Sequence, residues 1–228
     1  MPKVICFDFD DVLTDKSTLS KFARLFGHKF KELEYGIRLL EDNRNPKKFF
    51  RDVKGGIKLA KGVPYEYVER IGMLTRLNKN AKRVIKKLKK GGHNVVIISI
   101  NDEGLIKKFL KKNEIGSYVD HVYASRLGVK NGILTGKIFG DVLKTEKVGV
   151  VKRIEKLYHT KKEDIIYVGD GFTDLPIMKK VGKGILFCPN PLANAEVLAD
   201  KQLMKMQNEE RLFLIKENDL TKILQFIS

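Results

Sequence analysis

Near the start of the chain, four apolar residues, Val4-Ile5-Cys6-Phe7, run directly into Asp8-Phe9-Asp10-Asp11. The run is too short for a helix and suits a strand buried on both faces of a parallel sheet. Such strands deliver ligands and reactive groups at their carboxyl ends. This segment therefore constrains both the fold class and the place of any chemistry. Acids this close repel: a pair ~4 Å apart costs about 4 kcal/mol at an effective dielectric of about 20. The cluster persists if it stays wet and spread, or if a cation neutralises it. Alone, it reads equally well as a polar turn after a core strand.

A second stretch far down the chain repeats the design. Ile165-Ile166-Tyr167-Val168 leads into Gly169-Asp170-Gly171-Phe172-Thr173-Asp174. The glycines allow close backbone approach. Thr173 is expected to cap the following helix, with Asp174 in its first turn. Two acid-tipped strands in one α/β chain point to a divalent metal held by oxygen ligands. Mg²⁺ suits a few carboxylates completed by waters and substrate phosphate.

Two further features lie between these turns. Val95-Val96-Ile97-Ile98 reads as a second buried strand ending in Ser99, and Lys147 is expected to open a helix marked by Val151, Ile154 and Tyr158, with Lys144 as the competing lysine. By default a serine at a strand end is a turn former, and any single lysine in a chain with 45 Lys and Arg is a surface residue. In this order, however, the four segments resemble the motifs of the haloacid dehalogenase superfamily. The chain is most similar to its phosphoserine phosphatase-like branch, over nearly the whole length.

The resemblance implies a Mg²⁺-dependent phosphatase acting on a small phosphorylated metabolite through an aspartyl-phosphate. Asp8 would be the nucleophile and Asp10 the general acid, then base. Asp8, the Asp10 backbone carbonyl and Asp170 would hold the metal, while Asp174 would complete the shell or orient the lysine. Substrate and phosphate binding would fall to Phe9, Ser99, the backbone N–H of Ile100, Lys147 and Arg51; Arg44, Arg51 and Arg76 are cap-side cations suited to an acidic group, and each reads by default as a solvated surface residue. Some positions depart from that branch: Ser17 stands where a glutamate takes the substrate amine, Ile100-Asn101 replaces paired glycines, and Val12 replaces a common threonine. A phosphomutase or phosphotransferase would use the same parts. A receiver-type phospho-accepting module would share the acids and the lysine, but it is shorter and lacks the helical insertion described next.

The expected architecture is a doubly wound, mostly parallel α/β sheet with helices on both faces. The core comprises residues 1–14 and 78–228, and a helical cap is inserted at 15–77. In the cap, the stripes Leu19, Phe22, Ala23, Phe26 and Phe30, Leu33, Ile37, Leu40 read as helices, with Ser17 or Thr18 as a cap residue. Phe49, Phe50, Val53, Ile57 and then Tyr67, Val68, Ile71, Leu74 form two more stripes. Tyr118–Tyr123 reads as a strand. Asn131-Gly132 predicts a hairpin between Leu127-Gly128-Val129 and Ile133-Leu134-Thr135. Residues 184–188 and 212–215 read as strands, and 220–227 as a closing helix.

Composition bounds the remaining options. Hydrophobic content of 43% with 32% charge describes a globular chain, and no apolar run reaches the length of a membrane span. No charged-then-apolar signal pattern opens it. Cys6 and Cys188 read as core thiols in a reducing compartment, which predicts the cytoplasm. The net charge of +17 invites nucleic acid as a partner. The lysines argue against that: Lys82, Lys86, Lys87, Lys89 and Lys90 fall mainly off the face marked by Ala81, Val84, Ile85 and Leu88. Lys107, Lys108, Lys111 and Lys112 stand in the same relation to Leu105, Ile106, Phe109 and Leu110. Both sets read as solvated outer faces of helices. Oligomeric state is not legible in the sequence.

Overall fold

The computed structural model describes residues 2–18, 21 and 46–227, with 46–52 as backbone alone. Among these, β1 (Val4–Phe7), β2 (Asn94–Asp102), β3 (His121–Lys130), β4 (Ile133–Phe139), β5 (Ile165–Gly169), β6 (Lys183–Phe187) and β7 (Leu212–Ile215) form one sheet, ordered β4-β3-β2-β1-β5-β6-β7. Only β3–β4 is antiparallel. β1 lies at the centre, with Phe7 opposite Ile97 of β2 and Val168 of β5. The two acidic turns therefore leave adjacent parallel strands at the same end of the sheet.

Alternation along the strands fills a core on each face. Ile5, Phe7, Val95, Ile97, Ile166, Val168 and Ile185 point to one side; Val4, Cys6, Val96, Ile98, Ile165, Tyr167 and Leu186 point to the other. The first face is covered by α2 (Tyr65–Leu74), α3 (Ala81–Lys90) and α4 (Glu103–Lys112), which follow α1 (Pro46–Leu59) in the chain. The second is covered by α5 (Asp141–Lys144), α6 (Val150–Tyr158), α7 (Leu175–Met178), α8 (Pro191–Ala199) and α9 (Lys201–Asn208). α3 and α4 bury the expected apolar residues. Several of their lysines find acidic partners, as in Lys82–Glu114 at 2.9 Å and Lys89–Asp120 at 2.7 Å.

The inserted segment leaves and returns through a paired stem. Thr14 bridges Leu77, the Asp15 N–H donates to the Arg76 carbonyl at 3.1 Å, and the Asn78 N–H donates to the Leu13 carbonyl at 2.8 Å. Within the insertion, α2 is anchored in the core of the first face by Val68 and Ile71. Tyr67 and Leu74, expected on the same stripe, are 36% and 52% exposed, because the buried face centres on Val68, Ile71 and Gly72. The stripes from Leu19 to Leu40 and the side chains of Phe49 and Phe50 lie outside the described part, as does Arg44.

Several local expectations are corrected. The strand expected at 118–123 and the first arm of the hairpin are one strand, β3, which pairs parallel with β2 and then antiparallel with β4. Asn131 and Gly132 both have positive φ, 51° and 74°, the signature of a type I′ turn. The closing helix at 220–227 is a 3₁₀ segment, Leu220–Phe226. Cys6 is a core thiol, whereas Cys188 is only half-buried at the end of β6, with a φ of 44°. α8 and α9 were not foreseen, although Asn190-Pro191 and Asp200 cap them in the ordinary way.

Candidate active site

Asp8 is the first residue beyond β1, and its N–H still donates to the Val168 carbonyl at 2.8 Å, extending the sheet ladder. The carboxylate is thus carried on rigid backbone and is only 8% exposed. Its Oδ1 accepts the Phe9 N–H at 2.8 Å and faces the Lys147 Nζ at 3.0 Å. The same ammonium lies 2.6 Å from Asp174 Oδ1 and donates to the Tyr167 hydroxyl at 3.2 Å. Tyr167 in turn donates to Asp174 Oδ1 at 2.7 Å.

Asp174 Oδ2 accepts the backbone N–H groups of Asp170 and Gly171 at 3.1 and 3.2 Å. This is why Gly169 precedes them: a Cβ there would sit 2.5 Å from Asp174 Cγ. Thr173 therefore does not cap a helix as expected; Asp174 closes the turn on itself instead.

Lys147 is 1% exposed and does not open a helix. It sits with Glu146 in a left-handed turn (φ 66° and 52°), its N–H bonded to the Val142 carbonyl at 2.9 Å, and α6 begins three residues later. Each left-handed residue costs about 1–3 kcal/mol and persists where the surroundings over-determine it. Here the buried ion pairs do so. Lys144 ends α5 exposed to solvent.

The charges are not balanced within the protein. Burial pushes the Asp8 carboxyl up to about 7, with repulsion from Asp174 and Asp10 adding to it and Lys147 opposing it. Burial, then the charges of Asp174, Asp8 and Asp11, hold Asp170 well above the carboxylate range. Burial would lower the Lys147 ammonium, but Asp174 and Asp8 outweigh it and hold it above its ordinary value.

Carboxylate oxygens of Asp8, Asp170 and Asp174 lie within 4.8 Å of one another. Three acids around one ammonium, with only oxygen donors, are the donor set of a hard divalent cation. The three are not equivalent. Asp174 has four lone-pair sites and four donors already on them. Asp8 and Asp170 retain unused lone pairs.

Asp10 points elsewhere. Its Oδ1 accepts the Thr18 N–H at 3.0 Å, and its Oδ2 lies 3.0 Å from the Thr18 hydroxyl and 2.9 Å from Asn101 Nδ2. Ser99 is buried, and its Oγ accepts the Asn101 N–H at 3.1 Å, which leaves its own proton to donate. Ile100 is half-buried beside these groups. The Phe9 side chain is a core ring, edge-on to Phe109 at 4.9 Å, and its N–H is taken by Asp8. Arg76 is exposed, and the Arg51 side chain lies outside the described part.

The sequence assigns Tyr167 no role, Thr18 only that of a helix cap, and Asn101 only a departure from paired glycines. The available signal for Tyr167 was a hydroxyl in an otherwise aliphatic buried strand, since such groups need a partner.

A profile of haloacid dehalogenase-like hydrolases matches residues 5–179. The chain belongs to this family. A phosphoserine phosphatase of Methanocaldococcus jannaschii is 30% identical over 99% of this chain and 97% of its own length. A substrate-bound phosphoserine phosphatase structure superposes with a TM-score of 0.80 at 28% identity, covering 100% of this chain and 99% of the other. A phospho-aspartyl intermediate analogue of phosphoserine phosphatase superposes with a TM-score of 0.78 at 28% identity, covering 100% and 99%. Membership and these relatives make this family member a phosphatase. No helix among the described residues is long and apolar enough to cross a membrane.

Proposed function

We propose that the protein hydrolyses a small phosphorylated metabolite in the presence of Mg²⁺, with Asp8 as the nucleophile. The observation that carries this reading is the Lys147 ammonium, pinned by Asp174 and Tyr167 and held 3.0 Å from Asp8 Oδ1. A carboxylate attacking a phosphate dianion meets like charge, and a fixed cation beside it removes much of that barrier. Oδ1 is held by Phe9 and Lys147, so the other oxygen of Asp8 is presented to phosphorus. The Asp8–phosphorus bond forms as the bond to the leaving oxygen breaks, and Asp10 supplies the proton that oxygen takes. Asp10 then takes a proton from the water that releases phosphate from Asp8. Ser99 donates its hydroxyl to a phosphoryl oxygen.

Asp8 and Asp170, with the Asp10 carbonyl, would hold Mg²⁺, which when bound neutralises charge on the phosphoryl group. Asp174 serves instead to orient Lys147. The segment 15–77, inserted after β1, would serve as a lid that excludes water and selects the leaving group. O-phosphoserine is the first substrate to try, because relatives of this chain carry that name. The unpaired Cys6 and Cys188 suit a reducing compartment, so the place of action is the cytoplasm.

The test is phosphate release from a panel of phosphorylated metabolites and from p-nitrophenyl phosphate, with Mg²⁺ and with chelator. Mg²⁺-dependent turnover is expected. Full turnover in excess chelator overturns the metal requirement, and no turnover of any monoester overturns the function.

A further inference from the structure

The ring of hydrogen bonds around Asp10 is unlike the rest of the site, because it is shared between the core and the inserted segment. Asp10 and Asn101 follow β1 and lie within β2. Thr18 lies past the Thr14–Leu77 stem, on the inserted side. Thr18 is fully buried and gives Asp10 two contacts, N–H to Oδ1 and hydroxyl to Oδ2, both 3.0 Å. Asn101 Nδ2 reaches the same Oδ2 at 2.9 Å, and its own Oδ1 lies 2.9 Å from the Thr18 hydroxyl. Both carboxylate oxygens are thereby fixed, and the Asp10 side chain has one orientation open to it.

Thr18 has one hydroxyl proton and two acceptors within 3.0 Å, so its hydroxyl links Asp10 and Asn101 in one network.

Building on the function proposed above, the geometry points to Thr18 and Asn101 as positioning residues that hold Asp10 in line with the leaving-group oxygen. They act through Asp10, the group they touch.

The experiment compares kcat/KM on two esters that differ in their need for an acid. The alkoxide of O-phosphoserine must be protonated as it leaves, whereas the p-nitrophenolate of p-nitrophenyl phosphate departs without a proton. Thr18→Val keeps shape and removes the hydroxyl. We expect it to lower kcat/KM on O-phosphoserine about 30-fold and on p-nitrophenyl phosphate less than about threefold. Thr18→Ser should recover most of the loss. Asn101→Ala, on a half-buried residue and with no volume added, should show the same asymmetry at about tenfold, and it serves if Thr18→Val does not fold. If O-phosphoserine is a poor substrate, β-glycerol phosphate takes its place as the alkyl ester. Equal losses on both esters, or no loss on either, overturn the positioning role. Wild-type protein inactive on every ester instead overturns the function on which the inference rests.

Discussion

The turns after β1 and β5 read alike in the sequence, an apolar strand followed by paired acids, yet Asp8 in one and Asp174 in the other are held very differently. After β1, Asp8 is pushed up to about 7 by burial and by the neighbouring acids, and it keeps lone pairs in reserve. After β5, Asp174 is fully buried, and four donors within 3.2 Å saturate it. One carboxylate keeps lone pairs open to a ligand, and the other has all four engaged within the protein. Asp170, beside Asp174 in the chain, falls on the first side of that division, with no described residue donating to its carboxylate.

The comparison can be broken most easily at its reactive end. Asp8→Asn should reduce phosphate release by about 10³-fold or more, since removal of a nucleophile leaves only binding and electrostatics. Measurable steady turnover near wild type would remove Asp8 from the mechanism.

The sharpest test sets the two acids of the second turn against each other. Asp174→Asn replaces an acceptor by an amide that must oppose either Lys147 or the two backbone N–H groups. It should destabilise the protein by about 3 kcal/mol, read by urea denaturation, and lower turnover about 100-fold. Asp170→Asn should leave metal-free stability unchanged or improved, because it removes a repelling charge, while raising the Mg²⁺ concentration needed for half-maximal activity at least tenfold. The reverse pattern would exchange the two roles.

The unmet charge of Asp8 also sets a pH dependence. Its folded pKa lies above the unfolded value, so its contribution to stability is full below about pH 4 and is lost as pH rises through about 7. Mg²⁺ bound at Asp8, as proposed, would relieve that loss. The rise in melting temperature on adding Mg²⁺ should therefore be larger at pH 8 than at pH 5, measured by calorimetry; an equal rise at both would detach the metal from Asp8.

The smallest expected effect is that of Tyr167→Phe, which deletes one donor to Asp174 and one acceptor from Lys147. A loss of about 1 kcal/mol and a several-fold drop in turnover should follow. No change would mean that Lys147 is held by the two carboxylates alone.

Much of this was legible in the sequence. The strands Val4–Phe7 and Ile165–Gly169, the Ser99 strand and the type I′ hairpin follow from runs and turns whose cause is local. The lysine-rich faces of α3 and α4 were read correctly from helical periodicity. What failed was also local in appearance. Lys147 was placed at a helix start, but its conformation is set by the acids it meets, and Thr173 was given a cap that Asp174 made unnecessary. α8 and α9 carried good capping residues that went unread for want of a strong apolar stripe in α8, where only Ala193 and Val197 are buried.

By itself, the sequence determined that two acid-tipped strands would sit in a parallel sheet, because alternation and buried runs depend on neighbours in the chain. It could not say that Lys147 rather than Lys144 reaches them, that Asp174 is spent on structure, or that Thr18 and Asn101 close on Asp10. The two Asp10 pairings join residues 8 and 91 positions apart, and the pairing of Lys147 with Asp8 is longer still. They depend on the register of β1 against β2 and β5, and register is decided only when both faces of the sheet are packed.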